Sequence, residues 1–144
     1  MTINALVIDD DPSVSNLLAL LLKGHGFNII PAEDGKNGLD LIHSTIPDIV
    51  IIDLMMPGMD GWQVCKEVRK VSNVPILVLS VLNDSGFIAS ALDAGADDYL
   101  VKPVTGSVII AHINRLIRRA EAERTQKLIG TGPLKSVNQL NNRA

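Results

Sequence analysis

Short apolar runs alternate with stretches of helical periodicity along nearly the whole chain, the pattern of strands joined by crossover helices in a parallel sheet. The runs predict strands from Ala5 to Ile8, Phe27 to Ala32, Ile49 to Ile52, Ile76 to Ser80 and Tyr99 to Val101. Asp11 can cap the first helix with Pro12 at its first position, and Gly24 and Gly26 end it. Its buried stripe is predicted at Val14, Leu17, Leu18, Leu21 and Leu22. Asp34-Gly35 opens a second helix ending near Thr45, and a third carries Trp62, Val64, Cys65 and Val68. A fourth runs from about Gly86 to Ala94. The last starts near Thr105, runs through Arg119 and extends toward Lys127 on good helix formers. The expectation is an α/β fold, a doubly wound five-stranded parallel sheet with five helices. Aromatics are only 3% of residues against 47% hydrophobic, so Leu, Ile, Val and Ala must build a core buried on both sheet faces.

A chain of 144 residues holds one such domain, expected at residues 1–122. Residues 123–144 read as a helix extension and a polar linker or tail, broken at Gly130-Thr131-Gly132-Pro133. Residues 1–112 carry 14 acidic and 6 basic side chains, a balance of −8, whereas residues 113–144 carry 2 and 7, a balance of +5. A solvated helix end explains the basic segment more simply than an anionic partner. No apolar run reaches bilayer length, and Met1 to Ala5 lacks a secretory pattern. Cys65 is alone, which excludes a disulfide framework and a cysteine metal site. A cytoplasmic protein without membrane contact is expected.

The chemistry sits at the strand ends. Strand one runs into Asp9, Asp10 and Asp11, strand three ends at Asp53, strand four at Ser80, and strand five leads to Lys102-Pro103. In a parallel α/β sheet these positions share the carboxyl edge, where ligands bind at the switch in strand order. With order 2-1-3-4-5, Asp9, Asp10 and Asp53 meet in one crevice faced by Ser80 and Lys102. Three neighbouring carboxylates repel, and a hard divalent cation, Mg²⁺ above others, relieves them. A hydroxyl and an ammonium opposite a metal suit a transferring phosphoryl group, with Asp53 placed as carboxylate nucleophile. Asp11 reads as a helix cap, Met56, Met59 and Cys65 as packing residues, and Trp62 as the anchor of its helix. The scattered His25, His43 and His112 indicate neither a metal site nor a phosphoaccepting histidine.

Leu6-Val7-Ile8-Asp9-Asp10-Asp11-Pro12, the run Asp53-Leu54-Met55-Met56-Pro57-Gly58-Met59-Asp60-Gly61, and Gly95-Ala96-Asp97-Asp98-Tyr99-Leu100-Val101-Lys102-Pro103 closely resemble response-regulator receiver motifs over residues 3–120. The resemblance implies a CheY-like, flavodoxin-like fold that takes a phosphoryl group from a sensor histidine kinase, as a switch rather than an enzyme. It makes Asp53 the phosphoacceptor. Asp10, Asp53 and the Met55 backbone carbonyl would hold Mg²⁺, with Asp9 acting through water. Lys102 and Ser80 would contact the phosphoryl oxygens, Ser80 and Tyr99 would form the switch, and the bond before Pro103 would be cis. Output would pass through the face of the fourth helix, fifth strand and fifth helix, to a phosphorylation-dependent homodimer or an output protein. No direct nucleic-acid binding is expected of the domain itself.

Asp97-Asp98-Tyr99 is most similar to receivers of winged-helix (OmpR/PhoB-type) regulators, with departures on the partner face. Ile88 stands where Lys is common, Val108 where Glu is common, and His112 where Arg is common; Val104 and Val81 replace Phe and Ala. The output face is therefore expected to carry Ile88 and neighbouring Phe87 as an apolar cluster. A haloacid-dehalogenase phosphatase would want a second Asp where Met55 stands, and an FMN-binding flavodoxin would want hydroxyls and glycines where Asp9-Asp10-Asp11 stand. A phosphorylation-silent receiver used only for interaction is the remaining alternative, against which the complete residue set argues.

Overall fold

The computed structural model describes residues 2–130. Ten elements alternate strictly: β1 Ile3–Ile8, α1 Pro12–Leu21, β2 Phe27–Ala32, α2 Gly35–Thr45, β3 Ile49–Ile52, α3 Gly61–Val71, β4 Ile76–Ser80, α4 Ser85–Ala94, β5 Asp98–Val101 and α5 Gly106–Gly130. The five strands form one parallel sheet in the order β2-β1-β3-β4-β5. β1 starts two residues before its apolar run, because Ile3 pairs with Phe27 and its N–H donates to the Gly26 carbonyl at 2.7 Å.

Strand residues alternate between two apolar layers, as a two-residue period requires. Leu6, Ile8, Val50, Ile52, Ile76 and Val78 pack with Ile42, Val64, Cys65, Val68, Ala91 and Ala94 from α2, α3 and α4. Ala5, Val7, Ile49, Ile51, Leu77 and Leu79 pack with Leu18, Leu22, Ile109, Ile113 and Leu116 from the α1 and α5 side. Burial pushes the Cys65 thiol up to about 12, which keeps it neutral as a small core residue.

Two packing expectations are corrected. Leu17 is 55% and Leu21 36% exposed, while Ser15, Leu18 and Leu22 turn inward. α1 shares its side of the sheet with α5 and buries one narrow row rather than a broad stripe. Phe87, in turn, is 44% exposed but leans toward α3 rather than clustering with Ile88. Its ring lies 5.7 Å from that of Trp62, and its carbonyl accepts the indole N–H at 3.3 Å, so it binds α4 to α3. A step of 100° per residue puts Ile88 and Leu92 on the flank away from α3.

Sequence reading also misses a polar knot at the other end of the sheet. Arg69 donates to the Gly95 carbonyl at 3.2 and 2.8 Å, to the Ser72 carbonyl at 3.1 Å, to the Val74 carbonyl at 2.9 Å and to the Asp97 carboxylate at 3.0 Å. Asp97 also accepts the Ile76 N–H at 2.8 Å. The knot ties the end of α3 to the starts of β4 and β5.

α5 is continuous across the expected 122/123 boundary and outlasts Lys127. The expected break spans Gly130 to Pro133; Gly130 is the last described residue, and positions 131–144 of the tail lie outside the described residues. Among the described residues no helix is long and apolar enough to cross a membrane.

Candidate functional site

β1 and β3 are the central neighbours from which connections wind in opposite directions, so the crevice beyond their carboxyl ends is the sheet's switch point. The Asp53 N–H donates to the Ile8 carbonyl at 3.1 Å, which sets the end of β3 beside Asp9 and Asp10. One carboxylate oxygen each from Asp9, Asp10 and Asp53 lie within 4.8 Å of one another. Their settings differ. Asp9 is buried, Asp53 half-buried and Asp10 exposed.

Asp9 is held from two sides. Its Oδ1 accepts the Asp11 N–H at 2.9 Å, and its Oδ2 lies 3.6 Å from the Lys102 Nζ. Burial raises its carboxyl above the ordinary range; the Asp11 N–H and Lys102 oppose that rise, and Asp53 and Asp10 add to it. Asp11 turns away, capping α1 by accepting from the Ser13 N–H at 3.0 Å, as its sequence position predicts.

The opposite wall comes from β4 and β5. Ser80 is fully buried, and its Oγ accepts the Leu82 N–H at 3.3 Å. The Lys102 N–H donates to the Ser80 carbonyl at 2.8 Å, and the Lys102–Pro103 bond is cis. Tyr99 is partly buried, and its hydroxyl donates to the Leu82 carbonyl at 2.6 Å. One backbone carbonyl thus joins the aromatic ring to the loop that follows the serine. The Met55 side chain is exposed, and its N–H approaches the Asp53 Oδ1 at 3.4 Å.

One contributor was not singled out from sequence. A Cβ on Gly61 would stand 2.4 Å from the Asp53 carbonyl oxygen and 2.5 Å from the Leu54 Cα. The start of α3 therefore packs directly on the backbone that carries Asp53. Its position at a loop-to-helix junction was the available signal, but a Gly there reads as a turn.

The donor set is all oxygen, anionic and open on the Asp10 side, which fits Mg²⁺ and not a softer metal. One lysine cannot balance three carboxylates. Mg²⁺ is therefore expected to raise the melting temperature, by about 1.4 kcal/mol of stability at ten times its Kd. Thermal melts with and without Mg²⁺ measure this, and Asp10→Ala should respond much less. An equal response in that variant would put the cation elsewhere.

Residues 5–114 match the family model for the response regulator receiver domain. The chain is 40% identical over 120 residues to the transcriptional regulatory protein AfsQ1 of Streptomyces coelicolor, covering 83% of this chain and 53% of that protein. It is 39% identical over 123 residues to the DNA-binding response regulator MtrA of Mycolicibacterium smegmatis, covering 85% and 54%. The chain thus spans about half the length of these curated relatives. Among solved structures, the receiver domain of the Francisella response regulator 1452 is similar at a TM-score of 0.77 and 34% identity, covering 83% of this chain and 99% of that one.

Proposed function

The chain belongs to the response regulator receiver domain family of two-component signalling, and we propose that Asp53 is its phosphoacceptor and Mg²⁺ its cofactor. The observation that carries the reading is the gathering of Asp9, Asp10 and Asp53 at one sheet edge, with Lys102 on Asp9 and Ser80 in the facing wall. A carboxylate oxygen of Asp53 forms the new bond to phosphorus as the bond to the imidazole nitrogen of a sensor kinase's phosphohistidine breaks. Mg²⁺, held by Asp10, Asp53 and the Met55 carbonyl with Asp9 behind it, would supply positive charge for the phosphoryl oxygens. Lys102 supplies a further charge and Ser80 a hydrogen bond. The domain acts as a switch and turns over no separate substrate.

A phosphoryl group that draws Ser80 inward would pull on the loop whose Leu82 carbonyl holds Tyr99. The two arrangements need differ by only a few kcal/mol for one charged contact to shift the population. The readout is the face of α4, β5 and α5, and the partner proposed there is a second copy of the chain. That face carries Ile88, with Leu92 44%, Val101 36% and Val108 39% exposed. We read residues 1–122 as the receiver unit and the rest of α5 as its extension. DNA contact, the property named in MtrA, is assigned to an output domain rather than to this one.

Self-association that is mainly apolar resists salt, because screening weakens exposed ion pairs far more than apolar contacts. Sedimentation of the beryllofluoride-activated chain is therefore expected to show a dimer at low and high salt alike, and Ile88→Lys should weaken it at least tenfold. A dimer lost at high salt, or indifferent to Ile88→Lys, would reject this form of the output.

A further inference from the structure

Three residues separate Ser80, at the end of β4, from Asp84, the cap of α4, so a shift at the serine reaches the helix through one short loop. Two aromatic side chains hold this stretch by its backbone carbonyls. The Tyr99 hydroxyl donates to the Leu82 carbonyl at 2.6 Å, and the Trp62 indole N–H donates to the Phe87 carbonyl, in the first turn of α4, at 3.3 Å. The switch described above employs the first bond and leaves the second without a part.

Trp62 is anchored to the strand end that carries Asp53. It follows Gly61, whose N–H donates to the Leu54 carbonyl at 3.0 Å and whose missing Cβ seats α3 on the Asp53 backbone. The Asp60 carboxylate accepts the Gln63 N–H at 2.9 Å and caps the same turn. α4 is held more lightly, since its buried residues are only Ala91 and Ala94. An indole that joins the two helices must let go of its carbonyl when the start of α4 shifts against α3. Its bond is already at the long end of the range for N–H···O contacts. A contact made in one arrangement and lost in the other holds the population in the first.

We propose that Trp62 is a latch: its indole N–H holds the first turn of α4 in the unphosphorylated position, and phosphoryl uptake at Asp53 breaks that bond. This rests on the phosphoacceptor reading above. It makes Trp62 a positioning residue that sets how readily the switch is thrown, rather than a contact to the phosphoryl group.

The test incubates the full chain with acetyl phosphate and Mg²⁺, follows the labelling rate by intact mass, and measures the melting temperature beside it. Trp62→Phe keeps a ring against Phe87 and removes the N–H. It is expected to melt a few degrees lower and yet to take up label about fivefold faster, because the competent arrangement is more populated. A merely structural role lowers stability with equal or slower labelling. Phe87→Leu removes the ring contact and keeps the carbonyl, so it should also melt lower but label at the parent's rate. A parent that takes no label, or keeps its label in Asp53→Asn, overturns the phosphoacceptor reading and this one with it. Labelling at Asp53 that is equal or slower in Trp62→Phe, or as fast in Phe87→Leu as in Trp62→Phe, overturns the latch alone.

Discussion

Asp53→Asn is expected to take up no phosphoryl group from acetyl phosphate and Mg²⁺, under conditions in which the parent takes up one by intact-mass measurement. The asparagine keeps the shape of the side chain and removes its anionic nucleophile. A loss of at least about a thousandfold in rate, roughly 4 kcal/mol of barrier, is the scale implied. The neighbours are poor substitutes. Asp9 is only 4% exposed and tied to the Asp11 N–H and Lys102, while Asp10 sits at the open mouth. The variant should melt no lower than the parent, since one of three repelling charges is gone. Full labelling of a folded Asp53→Asn would move the acceptor to another residue.

Gly61→Ala is expected to damage fold and site together. The new methyl group would meet the Asp53 carbonyl oxygen and the Leu54 Cα, and neither is the yielding tip of a side chain. Overpacking in a core costs about 1–3 kcal/mol, and contact with backbone belongs at or above the top of that range. For a domain of this size the melting temperature should fall by about 10 °C. Any protein that remains folded should accept phosphoryl groups more slowly, because α3 can relieve the clash only by moving the strand end that carries Asp53. Gly58→Ala is the control. Gly58 has φ +80° but open space around its Cβ, so it tests backbone strain without collision, at about 1 kcal/mol. Equal losses in both variants would mean that crowding at Asp53 is not what position 61 controls.

The strands and the acidic crevice were legible because they depend on local signals and on strand order. β2, β3 and β4 fall where their apolar runs predicted, and Asp9, Asp10, Asp53, Ser80 and Lys102 all lie at the carboxyl edge. Reading failed where a residue's role depends on which neighbour reaches it. Leu17 and Leu21 obey helical periodicity yet lie outside, because the width of a buried stripe depends on the next helix rather than on α1 itself. Phe87 was assigned to the output face by proximity to Ile88, but one residue is 100° of rotation, and Trp62 lies on that side. Arg69 carries no signal in the sequence beyond a cation in the last turn of a helix. Its four carbonyl bonds and its ion pair come from segments up to 28 residues away, which no local pattern encodes.

α5 holds to the sheet through Ile109, Ile113 and Leu116, and beyond Ala120 its described side chains are all exposed. The helix nonetheless runs on to Gly130, braced there by the Arg119–Glu123 pair at 3.3 Å. At about 1.5 Å per residue, the last ten residues reach roughly 15 Å past the anchored part. A helix of that kind is a lever with its fulcrum in the core. Pivoting about Leu116 by only about 10° would carry the far end through roughly 3–4 Å, more than a side chain moves in changing one hydrogen bond for another. A rearrangement too small to notice at β5 would arrive at Gly130 magnified, and its direction would be set by which side of α5 was pushed.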